Sequence, residues 1–172
     1  IARIKAIRLH IASGDLTEMH GIDVIVNTEN DYMQMGRYFE VMSVSSQLRL
    51  KGSKTDDGGS VEEDTMQLQL YNTIQSKKIK IPVQIGRVII TPAGHPQGDL
   101  RSKNKNRYVF HLVTAQVNPI RSKERFRRIE EGMIDDAINN CFEKVIEVNA
   151  KKGIISPKGK EDYKQEQAQS AT

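Results

Sequence analysis

Asp23-Val24-Ile25-Val26-Asn27, followed by Thr28-Glu29-Asn30, is the stretch on which the fold turns. Three β-branched residues in succession make a short continuous apolar run, the pattern of a strand covered on both faces in a mostly parallel sheet. In such a sheet a ligand crevice opens at the carboxyl ends of the strands, here just after Asn27. Residues 28–37 read as a loop, and residues 38–50 carry Val41, Val44 and Leu48 at helical spacing. Strand, polar loop and helix together form one βα unit.

Working outward, Ala2, Ile4 and Ala6 alternate with Arg3, Lys5 and Ile7, the two-residue period of a strand near a sheet edge. That strand runs into the turn Ser13-Gly14-Asp15-Leu16-Thr17. Residues 51–60, with Gly52, Gly58 and Gly59, read as a flexible connection, and Ser60 with Glu63 has the spacing of a capping box for a helix reaching about Gln75. Residues 82–91 predict a strand closed by Thr91-Pro92-Ala93-Gly94, and residues 108–113 predict another. Phe126, Ile129, Met133, Ala137, Cys141 and Val145 fall on one helical stripe, which predicts an amphipathic helix over 124–150. Past Gly153 the chain turns polar, so the organisation expected is one domain over 1–155 and an exposed or disordered tail over 156–172.

Composition agrees with one α/β domain: 172 residues, 37% of them apolar, can bury a core. The net charge of +4 comes from 26 basic and 22 acidic residues that are largely interspersed, and the excess gathers in short clusters such as Arg101, Lys103, Lys105 and Arg107. Aromatic residues make up 5% and tryptophan is absent, so the stacking platforms of nucleic-acid readers are scarce and no nucleic-acid partner is expected. A single cysteine excludes an internal disulfide and a cysteine-based zinc cage. Its lone thiol points to a reducing, cytoplasmic setting. No stretch is apolar enough to span a bilayer. The chain begins at Ile1 inside what reads as a strand, so further residues, including a membrane-anchoring segment, are expected outside it.

Gly14-Asp15-Leu16-Thr17, then Val24-Ile25-Val26-Asn27-Thr28-Glu29-Asn30, then Gly86-Arg87-Val88-Ile89-Ile90-Thr91-Pro92-Ala93-Gly94, then Tyr108-Val109-Phe110-His111-Leu112-Val113 occur in this order. The series resembles the macro domain family, whose members bind ADP-ribose. The resemblance implies a three-layer fold, a central mixed, mostly parallel sheet flanked by helices. It implies that Asp15 accepts a hydrogen bond from the adenine amino group, that the Leu16 backbone lies beside the ring, and that Asn30 faces the distal ribose. Asn27, Ala93, Gly94 and His95 complete the expected surroundings. Read from the residues alone, Asp15 is equally a turn cap, and Asn27 and Asn30 are loop braces.

The chain departs from the family where its glycine-rich phosphate loop should stand, having Asp31-Tyr32-Met33-Gln34-Met35-Gly36-Arg37-Tyr38-Phe39 instead. With Gly36 the sole glycine, the expectation is that Gly36 and Arg37 meet the phosphates, helped by the positive end of the helix that follows, with Met35 also touching the ligand. The family's later strand and second glycine loop have no counterpart after Ala150, which implies an incomplete domain. Tyr32, Met33, Met35 and Phe39 resemble the loop of macro-type sensors in bacterial Thoeris antiviral effectors, which respond to a nucleotide made by a TIR-domain partner; the bland reading is that they pack the next helix. The ligand would then be ADP-ribose or a derivative, with no other cofactor, no metal and no catalytic residue, and binding would drive self-assembly. Two alternatives stand beside this sensor: an ADP-ribosyl hydrolase, and a basic nucleic-acid module. His10, His20, His95 and His111 lack metal-ligand spacing, and His111, inside an apolar run, reads as a core histidine. The sensor reading requires Asp15 and Asn30 to border one cavity.

Overall fold

The structure is a computed structural model, described over residues 13–40, 43–117, 126–128 and 130–151. Two compact units divide it, Gly14–Cys141, and Ile1–Ser13 with Phe142–Thr172. The strand expected over 2–11 and the tail over 156–172 lie outside the described residues.

The first unit is an α/β domain on a mixed sheet. β1 (Val24–Asn30) lies parallel to β5 (Tyr108–Val117), with Asn27 opposite His111. β4 (Val88–Pro92) pairs with the other side of β5, antiparallel, and β6 (Phe126–Arg128) pairs antiparallel with Ala115–Val117 of β5. Parallel pairing is thus confined to β1 and β5 among the described residues, less than the mostly parallel sheet expected. A separate hairpin joins β2 (Lys54–Thr55) to β3 (Val61–Glu63).

α1 (Val44–Lys51) packs on β1, and α2 (Thr65–Ser76) packs on β4. The short α3 (Asp99–Ser102) touches α1. Leu48, Met66, Leu70 and Ile74 meet Ile25, Ile89, Val109 and Val113 in one core with Met33 and Met35 from the loop after β1. Full burial of each such side chain contributes about 1.5–3 kcal/mol.

β5 is the strand buried on both faces, from Val109 to Val113. β1 alternates instead: Ile25, Asn27 and Glu29 point inward, while Val26 is 41% exposed. The run Val24-Ile25-Val26 therefore does not mean two covered faces.

Helix boundaries moved for local reasons. α1 starts at Val44, not near Tyr38, because the Ser43 side chain caps it by accepting from Ser46 N–H at 3.1 Å. The Ser60–Glu63 capping box does not form, since those residues build the hairpin and α2 begins after Asp64 without a side-chain cap bond. α4 (Ile134–Lys151) follows a 3-10 turn at Glu131–Met133, and Phe126, expected on its stripe, belongs to β6. In the second unit, the Glu147 carboxyl is lowered to about 2 by hydrogen bonds from Lys144 and Lys151.

Candidate functional site

The loop leaving the carboxyl end of β1 is held from every side. Asn30 closes it locally, its amide donating to the Gln34 carbonyl and its Oδ1 accepting from Tyr32 N–H, both at 2.9 Å. Buried Asp31 ties it to β5, donating through its N–H to Ala115 O and accepting Val117 N–H on Oδ1, each at 2.9 Å. From α2, Gln67 accepts Met35 N–H at 2.9 Å and donates to Met33 O at 3.2 Å. Met33 and Met35 face the core, so of the four bulky loop residues these two pack as the bland reading had it, whereas Tyr32 and Phe39 stay exposed.

Gly36 sits against the first turn of α1. Its N–H donates to Ser45 Oγ at 3.1 Å, and a Cβ there would lie 2.6 Å from Ser43 Oγ and 3.1 Å from Ser46 N. Any side chain there would displace the Ser43 hydroxyl and press on the Ser46 N–H. Its amide is committed to Ser45, so its role is steric rather than direct presentation of an N–H to a ligand. The Arg49 guanidinium clamps the loop from below, donating to Gly36 O at 3.1 Å and Met35 O at 3.3 Å, while its hydrogen bond to Asp64 raises its pKa. Beyond Gly36 the surface is polar and aromatic together: Arg37 lies 5.9 Å from the Phe39 ring centre, and Tyr38 and Phe39 meet edge to face at 5.7 Å. Phe39 is 64% exposed.

Beneath the loop lies a buried polar network that the sequence reading did not assemble. His111, central on β5, reaches diagonally both ways: Nδ1 is 3.0 Å from Glu29 Oε1 on β1, and Nε2 is 3.0 Å from Thr91 Oγ1 on β4. Glu29 also accepts from Asn27 Nδ2 at 2.5 Å, and Ser45 Oγ lies 3.4 Å from Glu29 Oε2, joining the network to α1. Hydroxyl, imidazole and carboxylate stand in the order of a nucleophile, its base and an orienting acid. They are closed to substrate, however, with Thr91, His111 and Glu29 all buried. The network braces three strands. Asn27 Oδ1 is buried and has no hydrogen-bond partner among the described residues. The signal present in the sequence was the alternation of Asn27 and Glu29 two residues apart, which puts both on one face of a strand.

The remaining expected residues gather at the other end of the sheet. Ala93 is fully buried, its N–H donating to Arg107 O at 3.1 Å. Gly94 has φ +79°, and His95 N–H donates to Gly52 O at 2.7 Å. Pro92, next to this turn, pairs with Tyr108 at the start of β5, opposite which β1 also begins. β1 spans seven residues, about 20 Å of extended chain. Asp15 keeps company with this end too. Its carboxylate accepts Thr17 N–H at 2.8 Å and the Thr17 hydroxyl at 2.7 Å, and Thr17 O accepts from Asn104, four residues before β5. Those Thr17 hydrogen bonds hold the Asp15 carboxyl below its ordinary pKa. Leu16 opens the 3-10 turn Leu16–Glu18 that Asp15 caps.

Asn27, Asn30, Met35, Gly36 and Arg37 are therefore brought together, and Asp15, Leu16, Ala93, Gly94 and His95 are not brought to them. Asp15 is tied through Thr17 to the end of the sheet where β1 begins, and Asn30 closes the loop where β1 ends. Among the described residues no group of three or more His, Cys, Asp or Glu is placed to hold a metal ion, and no helix is long and apolar enough to cross a membrane.

Fold and site define an α/β domain with a clamped loop and an exposed arginine–aromatic surface at the carboxyl end of a parallel strand. No family profile matches the chain, and no curated protein matches it.

Proposed function

We propose that this chain is a macro-type binding module for ADP-ribose or a signal nucleotide derived from it, and that it holds the ligand without turnover. The observation that carries the reading is the packing of Gly36 against the first turn of α1, beside exposed Arg37, Tyr38 and Phe39. The positive end of a helix favours a phosphate by about 0.3–1 kcal/mol at an exposed site, and Arg37 adds a full charge. A base stacked on Tyr38 or Phe39 contributes about 1–3 kcal/mol. Asn30 spends one donor and one acceptor on its loop, which leaves its second amide hydrogen and second lone pair for a ribose hydroxyl. The adenine role that the resemblance gave to Asp15 passes to the rings. Support for the macro-type fold comes from the sheet order β1-β5-β4, whose three strands are built from the segments that carry the resemblance.

The narrower reading, a sensor domain of a bacterial TIR-linked antiviral effector that assembles on binding, rests on the loop resemblance, now carried by Tyr32 and Phe39. The hydrolase alternative draws no support from the Glu29–His111–Thr91 network, which is closed to substrate.

Calorimetry with ADP-ribose tests the reading, with chromatography of the recovered ligand. One-to-one binding, return of intact nucleotide, and at least tenfold weaker binding by the surface variants Arg37→Ala and Phe39→Ala are expected. A folded protein that ignores ADP-ribose, or returns it cleaved, refutes the proposal.

A further inference from the structure

A cleft of about 460 Å³ opens at the opposite end of the sheet, lined by Pro92, Arg101, Lys105, Asn106, Arg107 and Tyr108. Three of its six lining residues are cations. The pairings of the neighbourhood leave this charge poorly matched. Lys103 is taken by Asp99 at 3.0 Å and does not line the cleft, whereas among the described residues Arg107 forms its ion pair with Asp23, at 3.7 Å and with that side chain 70% exposed. Lys105 Nζ and Arg101 rest on neutral carbonyls, those of Ser102 and Gly94.

The segment is also rigidly presented. Lys105 has φ +65°, a left-handed backbone that costs a residue with a side chain roughly 1 kcal/mol. Buried asparagines fix both of its neighbours: Asn104 donates to Thr17 O at 2.6 Å and Asn106 to Ile22 O at 2.8 Å. Such strain persists only where the surroundings over-determine it, and here its effect is to set Lys105 and Arg107 at one cleft.

We infer that this cleft binds the terminal phosphate of a nucleotide, either free or at the 5′ end of a strand. A phosphate monoester carries nearly two charges and three acceptor oxygens, a better match to three cations than a singly charged phosphodiester. Pro92 and Tyr108 supply carbon surface for the attached sugar or base. This site is separate from the Gly36 loop and does not depend on what that loop binds.

Thymidine 5′-monophosphate and 5′-phosphorylated pentathymidylate, which lack adenine, are the probes, with thymidine and the unphosphorylated pentamer as controls. At least tenfold preference for the phosphorylated form is expected in one or both pairs. Binding of the monophosphate identifies a free nucleotide as sufficient, and binding of the pentamer alone identifies the strand end. Arg107→Glu should weaken it at least tenfold, and Lys105→Glu likewise. Chemical shifts of the Asn106 and Arg107 amides should move on titration even if one variant folds poorly. Equal binding of phosphorylated and unphosphorylated probes, no binding of any, or indifference to both charge reversals overturns the inference.

Discussion

Gly36 and Gly94 stand at opposite ends of one sheet, and each lets two segments approach more closely than a side chain allows, yet what they approach differs. A Cβ on Gly94 would lie 2.6 Å from the Gly52 α-carbon and closer still to its carbonyl oxygen, main chain against main chain. A Cβ on Gly36 would first meet the Ser43 hydroxyl, which can rotate away. The Gly94 end is sealed by backbone, so a ligand there must bind outside the seal, on charged side chains. At the Gly36 end closure is by side chains that can yield, and exposed rings and an arginine surround it. Architecture alone would make both ends candidate crevices; the identity of the opposing atoms separates them.

The largest effect should come from breaking the seal. Gly94→Ala combines a left-handed φ, worth about 1–2 kcal/mol against a side chain, with overpacking of about 1–3 kcal/mol. Denaturant unfolding should register a loss of roughly 2–5 kcal/mol, and a loss below about 1 kcal/mol would show that the Gly52–Gly94 contact is not the constraint described. Next comes the network under the Gly36 end. Glu29→Ala strips partners from His111 and Asn27 in a buried setting, each orphaned group costing about 1–3 kcal/mol, so about 3 kcal/mol is expected from the same measurement. If Glu29→Ala proves neutral, the strands are braced by apolar packing alone.

Gly36→Ala sharpens the contrast directly. With a rotatable hydroxyl as the first obstacle, the loss should be about 1 kcal/mol, well below that of Gly94→Ala. ADP-ribose affinity should nevertheless fall several-fold in titration calorimetry, because the loop is pushed from the α1 first turn. A variant as unstable as Gly94→Ala would erase the distinction between the ends.

What could be read in advance divides along the same physical lines. Apolar runs and turn residues located β1, β4 and β5, because strand formation there is decided by local side-chain type. Which strand is covered on both faces was not legible: Val24-Ile25-Val26 and Val109-Phe110 look alike, but burial depends on what packs across the sheet. Asn30, Gly36 and Arg37 were legible as a group because one loop carries them. Asp15 and His95 were placed with them by order of motifs, and order along a chain does not fix which end of a sheet a turn occupies. The Glu29–His111–Thr91 network needed the register of three strands, which no local pattern encodes.

The smallest effects distinguish the two polar caps, Asn30 at one end and Asp15 at the other. Asn30→Ala removes two loop bonds on a partly exposed residue, about 1 kcal/mol, and that loss should not vary with pH because the amide does not titrate. Asp15 behaves differently. Its carboxyl is held below the ordinary value of 3.8 first by the Thr17 hydroxyl and then by the Thr17 N–H. A folded pKa below the unfolded one means the cap's contribution is present above about 3.8, and is lost as pH falls through the lower folded value. The Asp15 carboxyl carbon, followed by NMR, should titrate with a midpoint below 3.8 and move back up in Thr17→Val. The amides of residues 16–18 should shift in the same acid range, while those of residues 31–36 remain still. Parallel movement of both sets would mean that the two ends of the sheet respond as one body to the loss of a single cap.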